Sequence, residues 1–167
     1  RRLSKLAPGD KLAIYPFEGV DYQEPALDIL VDKEDIIELI HKLGKTQDGG
    51  AIGQLIAYLK NLDILPLRYN SWQLPYLLKI MGYCFGDGSV YFTGERKRGT
   101  ACFYGSKENL EKIKEDLLKI GFKSSIYSRH RHHKIKTMYA VTEFQREEFW
   151  LKVGSRGFAL LLAALGT

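Results

Sequence analysis

The sequence predicts an α+β fold, in which a helix, two strands, a helix, two strands and a final helix follow one another from residue 74 around a four-stranded antiparallel sheet. Three observations carry that prediction. Residues 74–88 are densely apolar, with Leu74, Tyr76, Leu77, Leu78, Ile80, Met81, Tyr83 and Phe85, and read as a helix. Residues 107–122, KENLEKIKEDLLKIGF, set Leu110, Ile113, Leu117, Leu118 and Ile120 on one side of a second helix, with Ser106 as its cap and Gly121 as its stop. Each helix is followed by a stretch that folds back on itself as a hairpin, and helices alternating with antiparallel hairpins define this class.

Taken in order, the chain opens with strands and turns. Pro8-Gly9-Asp10 is a turn, and KLAIYPF behind it alternates as a strand. Residues 1–24 are therefore a short β segment. Residues 25–71 are a small helical segment. Asp32 caps a helix carrying Ile36, Ile37, Leu39, Ile40 and Leu43 and ended by Gly44, and a second helix after Asp48-Gly49-Gly50 carries Ile52, Leu55, Ile56 and Leu59. Two helices and an extended tail, LDILPLRYN, are open to a winged helix-turn-helix reading or to a spacer role; Gln54 and Lys60 are the ready contacts on the second helix. From residue 72 the α+β domain begins. Ser89 to Thr93 is its first strand, Glu95 to Gly99 a charged tip and Thr100 to Tyr104 the return strand. In the second hairpin Lys123 to Arg131 runs outward and Ile135 to Phe144 returns, with the turn near His132-His133. Gln145 to Leu165 reads as helical with a break at Gly154 or Gly157. The chain starts without Met and ends on LLLAALGT, which reads as a domain or a processed piece of a longer parent.

Composition narrows the class of function. With 45% hydrophobic and 27% charged residues in 167, a core is available. The longest apolar run, Phe158 to Leu165, is eight residues, far short of the roughly 18–20 a membrane span needs. RRLSKLAPGD has charge but no apolar stretch of the kind a signal peptide carries. Cys84 and Cys102 lie in apolar settings and read as buried thiols in a reducing, cytoplasmic compartment. The net charge of +5 is unevenly spread. Residues 91–136 hold 12 Lys/Arg against 5 Asp/Glu, whereas residues 1–90 hold 10 against 12. A positive segment of that kind suits a polyanion, nucleic acid being the commonest.

The chemistry centres on MGYCFGDG, Met81 to Gly88. Gly82 and Gly86 lie four residues apart on one helix face, and glycine inside a helix costs about 1 kcal/mol relative to alanine. Two on one face suit close approach by another helix. Asp87 then stands at the helix tip, just before the first strand. Asp-Gly alone also ends many helices. The wider pattern, from MGYCFGDG through the KENLEKIKEDLLKIGF helix and the basic second hairpin to FALLLAALGT, resembles the LAGLIDADG homing endonucleases, in the G-[FY]-x-x-G-D-G variant of archaeal and intein-borne members. The resemblance covers the domain at 72–167, which holds a single motif. Phe85 replaces the first acidic position of the nine-letter pattern and Asp87 keeps the second.

That resemblance implies site-specific, Mg²⁺-dependent cleavage of both strands of double-stranded DNA. It implies a metal position at Asp87 with Gly86 beside it, and a helix–helix interface through Gly82 and Gly86. It also implies that one acid is half of a centre. A second motif must come from a homodimer or from another repeat beyond Thr167, and the LLLAALG ending resembles the junction where a second repeat begins. Lys134 or Lys136 is named as the residue that polarises the attacking water, as a lysine does in some members. Arg96, Lys97 and Arg98 at the first hairpin tip, with Lys123, Arg129, Arg131, His133, Lys134 and Lys136 on the second, are the expected DNA contacts. The same charges also suit a solvated turn, and His130, His132 and His133 a zinc site. SKLAPGDKLAIYPF weakly resembles the turn-and-strand of Hint (intein) domains, which makes residues 1–24 a Hint-like segment or its remnant. The alternative function is a non-catalytic DNA-binding regulator with a LAGLIDADG-like domain.

Overall fold

The computed structural model describes residue 24 and residues 27–44, 49–94 and 98–166. The Hint-like stretch with Pro8, Gly9 and Asp10, and the hairpin residues Arg96 and Lys97, lie outside them.

A short strand β1 (Ile29–Val31) enters α1 (Lys33–Lys42). Asp32 caps that helix in a reciprocal box: its carboxylate accepts from the Lys33 N–H at 2.6 Å, while its own N–H donates to Asp35 Oδ2 at 2.8 Å. Gly44 ends the turn at φ +83°, a conformation glycine adopts without penalty. Next come α2 (Gly49–Asn61) and β2 (Leu67–Arg68), which pairs antiparallel with β1. Ile36 and Ile40 of α1 and Ile56 and Leu59 of α2 are buried in one continuous core with the rest of the chain. Gln54 and Lys60 are exposed. The segment thus consists of a helix pair and a two-stranded sheet, and both helices pack on the last described helix, residues 156–164.

From residue 74 the predicted order holds: α3 (Leu74–Asp87), β3 (Gly88–Thr93), β4 (Arg98–Gly105), α4 (Lys107–Lys119), β5 (Ser125–Lys136), β6 (Val141–Val153) and α5 (Arg156–Ala164). The strands form one antiparallel sheet in the order β3-β4-β6-β5. Pro75 sits in the first turn of α3, where its missing N–H breaks no bond. Ser106 Oγ accepts from Asn109 N at 3.3 Å to start α4, and Gly121 follows it at φ +88°. Helix α5 is buried all along Gly157 to Leu162, so its lack of a polar face has a cause: the sheet covers one side and α1 and α2 the other. Ala101, Phe103, Leu151 and Val153 point from the sheet into this helix layer. Among the described residues, no helix covers the opposite face of the sheet. Cys84 and Cys102 are free and buried, as expected. Among the described residues no helix is long and apolar enough to cross a membrane.

Two expectations need correction. Gln145 to Val153 is strand, not helix; only Arg156–Ala164 of the final stretch is helical. The second hairpin turns at Thr137 to Ala140, not near His132-His133. Thr137 Oγ1 accepts from the N–H groups of Tyr139 (3.3 Å) and Ala140 (3.0 Å), so a threonine turn closes the loop. His132 and His133 instead lie inside β5, paired with Gln145 and Phe144.

Candidate nucleic-acid interface and the tip of α3

Helix α3 has two characters. Leu77, Ile80, Met81 and Cys84 face the core at helical spacing. Leu78, Gly82, Phe85 and Gly86 face away from it; Leu78 is 52% exposed and Phe85 67%. A methyl group placed on Gly82 or Gly86 would meet nothing within 4 Å. Neither glycine is there to admit a neighbour from the described residues of this chain, and the stripe is open to solvent. Asp87 closes the helix at its carbonyl end, exposed. That end carries the negative pole of the helix, so a carboxylate there lacks the backbone donors it would meet at the other end and favours a cation beside it. Gly88 is fixed by contact. Its φ of −123° suits any residue, but a Cβ would stand 2.6 Å from Cys84 Cα and 3.0 Å from Cys84 O. Only glycine lets the chain leave α3 and enter β3 so tightly, and that exit aims Asp87.

Asp87 borders a groove of about 700 Å³. Tyr104 and Lys107 line it from the β4–α4 corner, and Arg129, Arg131 and Arg146 from the second hairpin. Side chains alternate along a strand, so Arg129, Arg131 and His133 share the open face of β5. Lys134 and Lys136 fall on the other face. Lys134 Nζ is held at 2.5 Å by Glu143 Oε1, and neither lysine lines the groove with Asp87. The structure therefore brings Arg129 and Arg131 to the acid, and not the two lysines named from sequence. Arg98, at the start of β4, lines a separate cleft with Lys152 and Arg156; Lys123 is exposed just ahead of β5. His130 and His132 are on the face opposite His133. Among the described residues no group of three His, Cys, Asp or Glu side chains could hold a metal.

Sequence reading missed Lys107, Arg146 and Glu148. Glu148 lies opposite Arg129 in the register and organises the basic face. Its carboxylate accepts from Arg129 Nε at 2.9 Å and lies 3.9 Å from Arg131 Nη1. His133 Nε2 is 3.0 Å away, close enough for charge contact on protonation but without hydrogen-bond alignment. The Arg129 hydrogen bond, opposed by desolvation, holds the Glu148 carboxyl below its ordinary 4.5. The basic charge of β5 is thus partly neutralised by its partner strand: residues 125–153 hold six Lys/Arg against three Glu. Reading β5 alone hid this. Strand pairing, once the turn is placed correctly, would have shown it.

A family model for the LAGLIDADG-like domain matches residues 75–151. The chain is 38% identical to the tRNA-splicing ligase RtcB of Methanocaldococcus jannaschii, over 98% of this chain and 16% of that protein. It is 34% identical to the tRNA-splicing ligase RtcB of Methanopyrus kandleri, over 98% of this chain and 15% of that protein. The DNA-directed RNA polymerase subunit Rpo1N of Methanocaldococcus jannaschii is 29% identical, over 99% of this chain and 12% of that protein. The chain thus spans less than a fifth of the length of these relatives. No solved structure matches it. The motif helix ending in Asp87, the ββαββ order behind it and the family match agree: residues 75–151 match the LAGLIDADG-like domain in sequence and in fold.

Proposed function

We propose that this chain is one half of a metal-dependent DNA endonuclease, active when a second copy of the motif joins it in a partner subunit or in a further repeat of its parent. One observation carries the reading: the exposed Asp87 ends a helix whose Leu78–Gly82–Phe85–Gly86 stripe the described residues leave unpartnered, beside a sheet face bearing Arg129, Arg131 and Arg146. Two such helices laid face to face would bring two Asp87 carboxylates together at the bare face of the sheets. Arginines on that face contact phosphates and base edges of double-stranded DNA. His133 and Lys123 extend the contact along β5, and Arg98 serves the far end of the sheet.

The donor set fits Mg²⁺. Asp87 offers hard oxygen on an exposed side chain, and Mg²⁺ commonly takes one or two carboxylates and completes its shell with water and phosphate. The peptide carbonyl of Gly86 is the backbone oxygen nearest in sequence. When bound, divalent ions supply charge neutralisation and an activated water for phosphodiester hydrolysis. This chain's own part is to hold the acid at a fixed tip through Gly88 and to grip the backbone with the arginines that line the same groove. Lys107 lines the groove and replaces Lys134 and Lys136 as the lysine to test near the water.

A module shared almost end to end by a ligase and a polymerase subunit, yet a small part of each, is what an inserted element would look like. That supports a mobile, intein-like origin, with residues 1–24 as the remnant or working part of a splicing domain, residues 25–71 as the helical attachment and residues 72–167 as the endonuclease portion.

The test is cleavage of a plasmid library in Mg²⁺ by the protein and by Asp87→Asn. Linear products that disappear in the variant by at least 100-fold support the reading. Retained salt-sensitive DNA binding with no cleavage by a demonstrated dimer would instead make this a non-catalytic DNA-binding module.

A further inference from the structure

The open face of the sheet carries, besides its arginines, a row of aromatic rings that duplex binding does not explain. The register pairs Tyr104 of β4 with Trp150 of β6, and Trp150 with Tyr127 of β5. Three aromatic residues therefore stand side by side across three adjacent strands, on the face that no helix among the described residues covers. The row starts next to Asp87, which borders the same groove as Tyr104. Tyr104 is 51% exposed and Tyr127 46%, far more than tyrosine rings in a core. Trp150 is the fixed member. Tyr127 stacks on it with centroids 5.6 Å apart and planes 19° from parallel, and the Arg129 guanidinium lies 5.7 Å from its centroid. The outer rings are accessible, and the central one holds Tyr127 in place while the register sets Tyr104 on its other side.

Side chains that read the edges of paired bases in the major groove are long and polar. Flat rings on a sheet do something else: they stack with the faces of bases, which a duplex exposes only where it is opened. The surroundings are net cationic, with Arg129, Arg131 and Arg146 ahead of the row and Lys152 behind it against Glu148 on the same face, so a phosphate backbone can run alongside the rings. We propose that Tyr104, Trp150 and Tyr127 form a stacking platform for unpaired bases, and that this domain binds single-stranded DNA across β4, β6 and β5. No sequence preference follows, because every base has a π-face. The proposal does not depend on cleavage or on a second copy.

The chain has two tryptophans, so Trp72→Phe leaves Trp150 as the sole reporter on the platform. Titrating that protein, as the full chain, with a dT oligomer should quench Trp150 fluorescence. Tyr127→Ala should weaken the dT oligomer at least five-fold, with a smaller effect on a duplex of equal length. Tyr127→Phe, which keeps the ring, should bind like the parent. Four results would overturn the proposal: no quench with the dT oligomer, equal losses on single strand and duplex, a Phe variant as weak as the Ala variant, or tighter binding of the matching ribo-oligomer, which would reassign the platform to RNA. Circular dichroism of each variant establishes that the sheet persists.

Discussion

At the scale of single residues, the two ends of the motif are under different kinds of constraint. Gly88 is held by contact, since a Cβ there would enter the backbone of Cys84. Gly88→Ala must push the end of α3 away from β3. Overpacking of that kind costs about 1–3 kcal/mol. Urea unfolding should show the loss, and cleavage should fall further than stability because Asp87 is displaced with the helix end. Asp116 is constrained by charge. It is buried on α4 and binds Lys79 of α3 at 2.6 Å, with Lys119 at 3.5 Å. The carboxylate accordingly raises the Lys79 ammonium above its ordinary value. Lys79 is half exposed, so solvent screens the pair, and Asp116→Ala should cost only about 1 kcal/mol by denaturant unfolding. A loss several times larger would mean that the carboxylate supports more than this ion pair. Asp87 and Gly88 were both legible in the sequence as a motif. Asp116 was not singled out, because nothing in a periodic pattern distinguishes a buried aspartate from its solvated neighbours.

The element that the sequence described least well is the second hairpin, and its geometry says why. Strands announce themselves by alternation, which arises when one face is buried and the other wet. Strands β5 and β6 outgrow the helix layer, so from Val141 to Glu147 both faces of β6 are exposed. No alternation can be written into such a stretch. QREEFWLK then scans as an amphipathic helix, and the turn is drawn toward the histidines. The shorter β3 and β4, which lie over α3 and α5, were placed within a few residues for the opposite reason. The long arms leave their charge pairs exposed, which makes the hairpin responsive to acid. Glu148 is the group concerned: Arg129 depresses its pKa below 4.5 in the folded chain. A depressed carboxyl contributes stability that is fully present above its unfolded pKa and lost as pH falls through the lowered folded value. The arms should therefore exchange amide hydrogens faster as pH drops below 4.5, after correction for intrinsic rates, while the core under α5 does not change. In Arg129→Ala the Glu148 carboxyl should titrate closer to 4.5, read by carbon NMR of the side chain. An unchanged midpoint would show that Arg129 is not its partner in solution.

For the whole molecule, the distribution of exposed apolar surface decides what is missing. The core is continuous from Val31 to Leu162 and buries α5 from Gly157 to Leu162, whereas Leu78 and Phe85 on the outer stripe of α3 stay exposed beside the two glycines. Helical periodicity in the sequence put the two glycines on one face; it could not show that Leu78 and Phe85 share that face or that the described residues leave it bare. The consequence is a pair of effects with opposite signs. In the single chain, Gly82→Ala introduces a methyl into open space and removes a glycine from a helix interior. It should stabilise the isolated domain by about 0.5–1 kcal/mol, seen as a higher urea midpoint with an unchanged slope. At a face where two helix backbones approach closely, the same methyl holds them apart, as does one on Gly86. Association measured by sedimentation, or cleavage by the assembled centre, should then drop at least ten-fold in Gly82→Ala/Gly86→Ala. A destabilised monomer would point to a partner within this chain. A stabilised monomer with undiminished association would mean that copies meet elsewhere, and that Asp87 is not brought to a second acid through this helix.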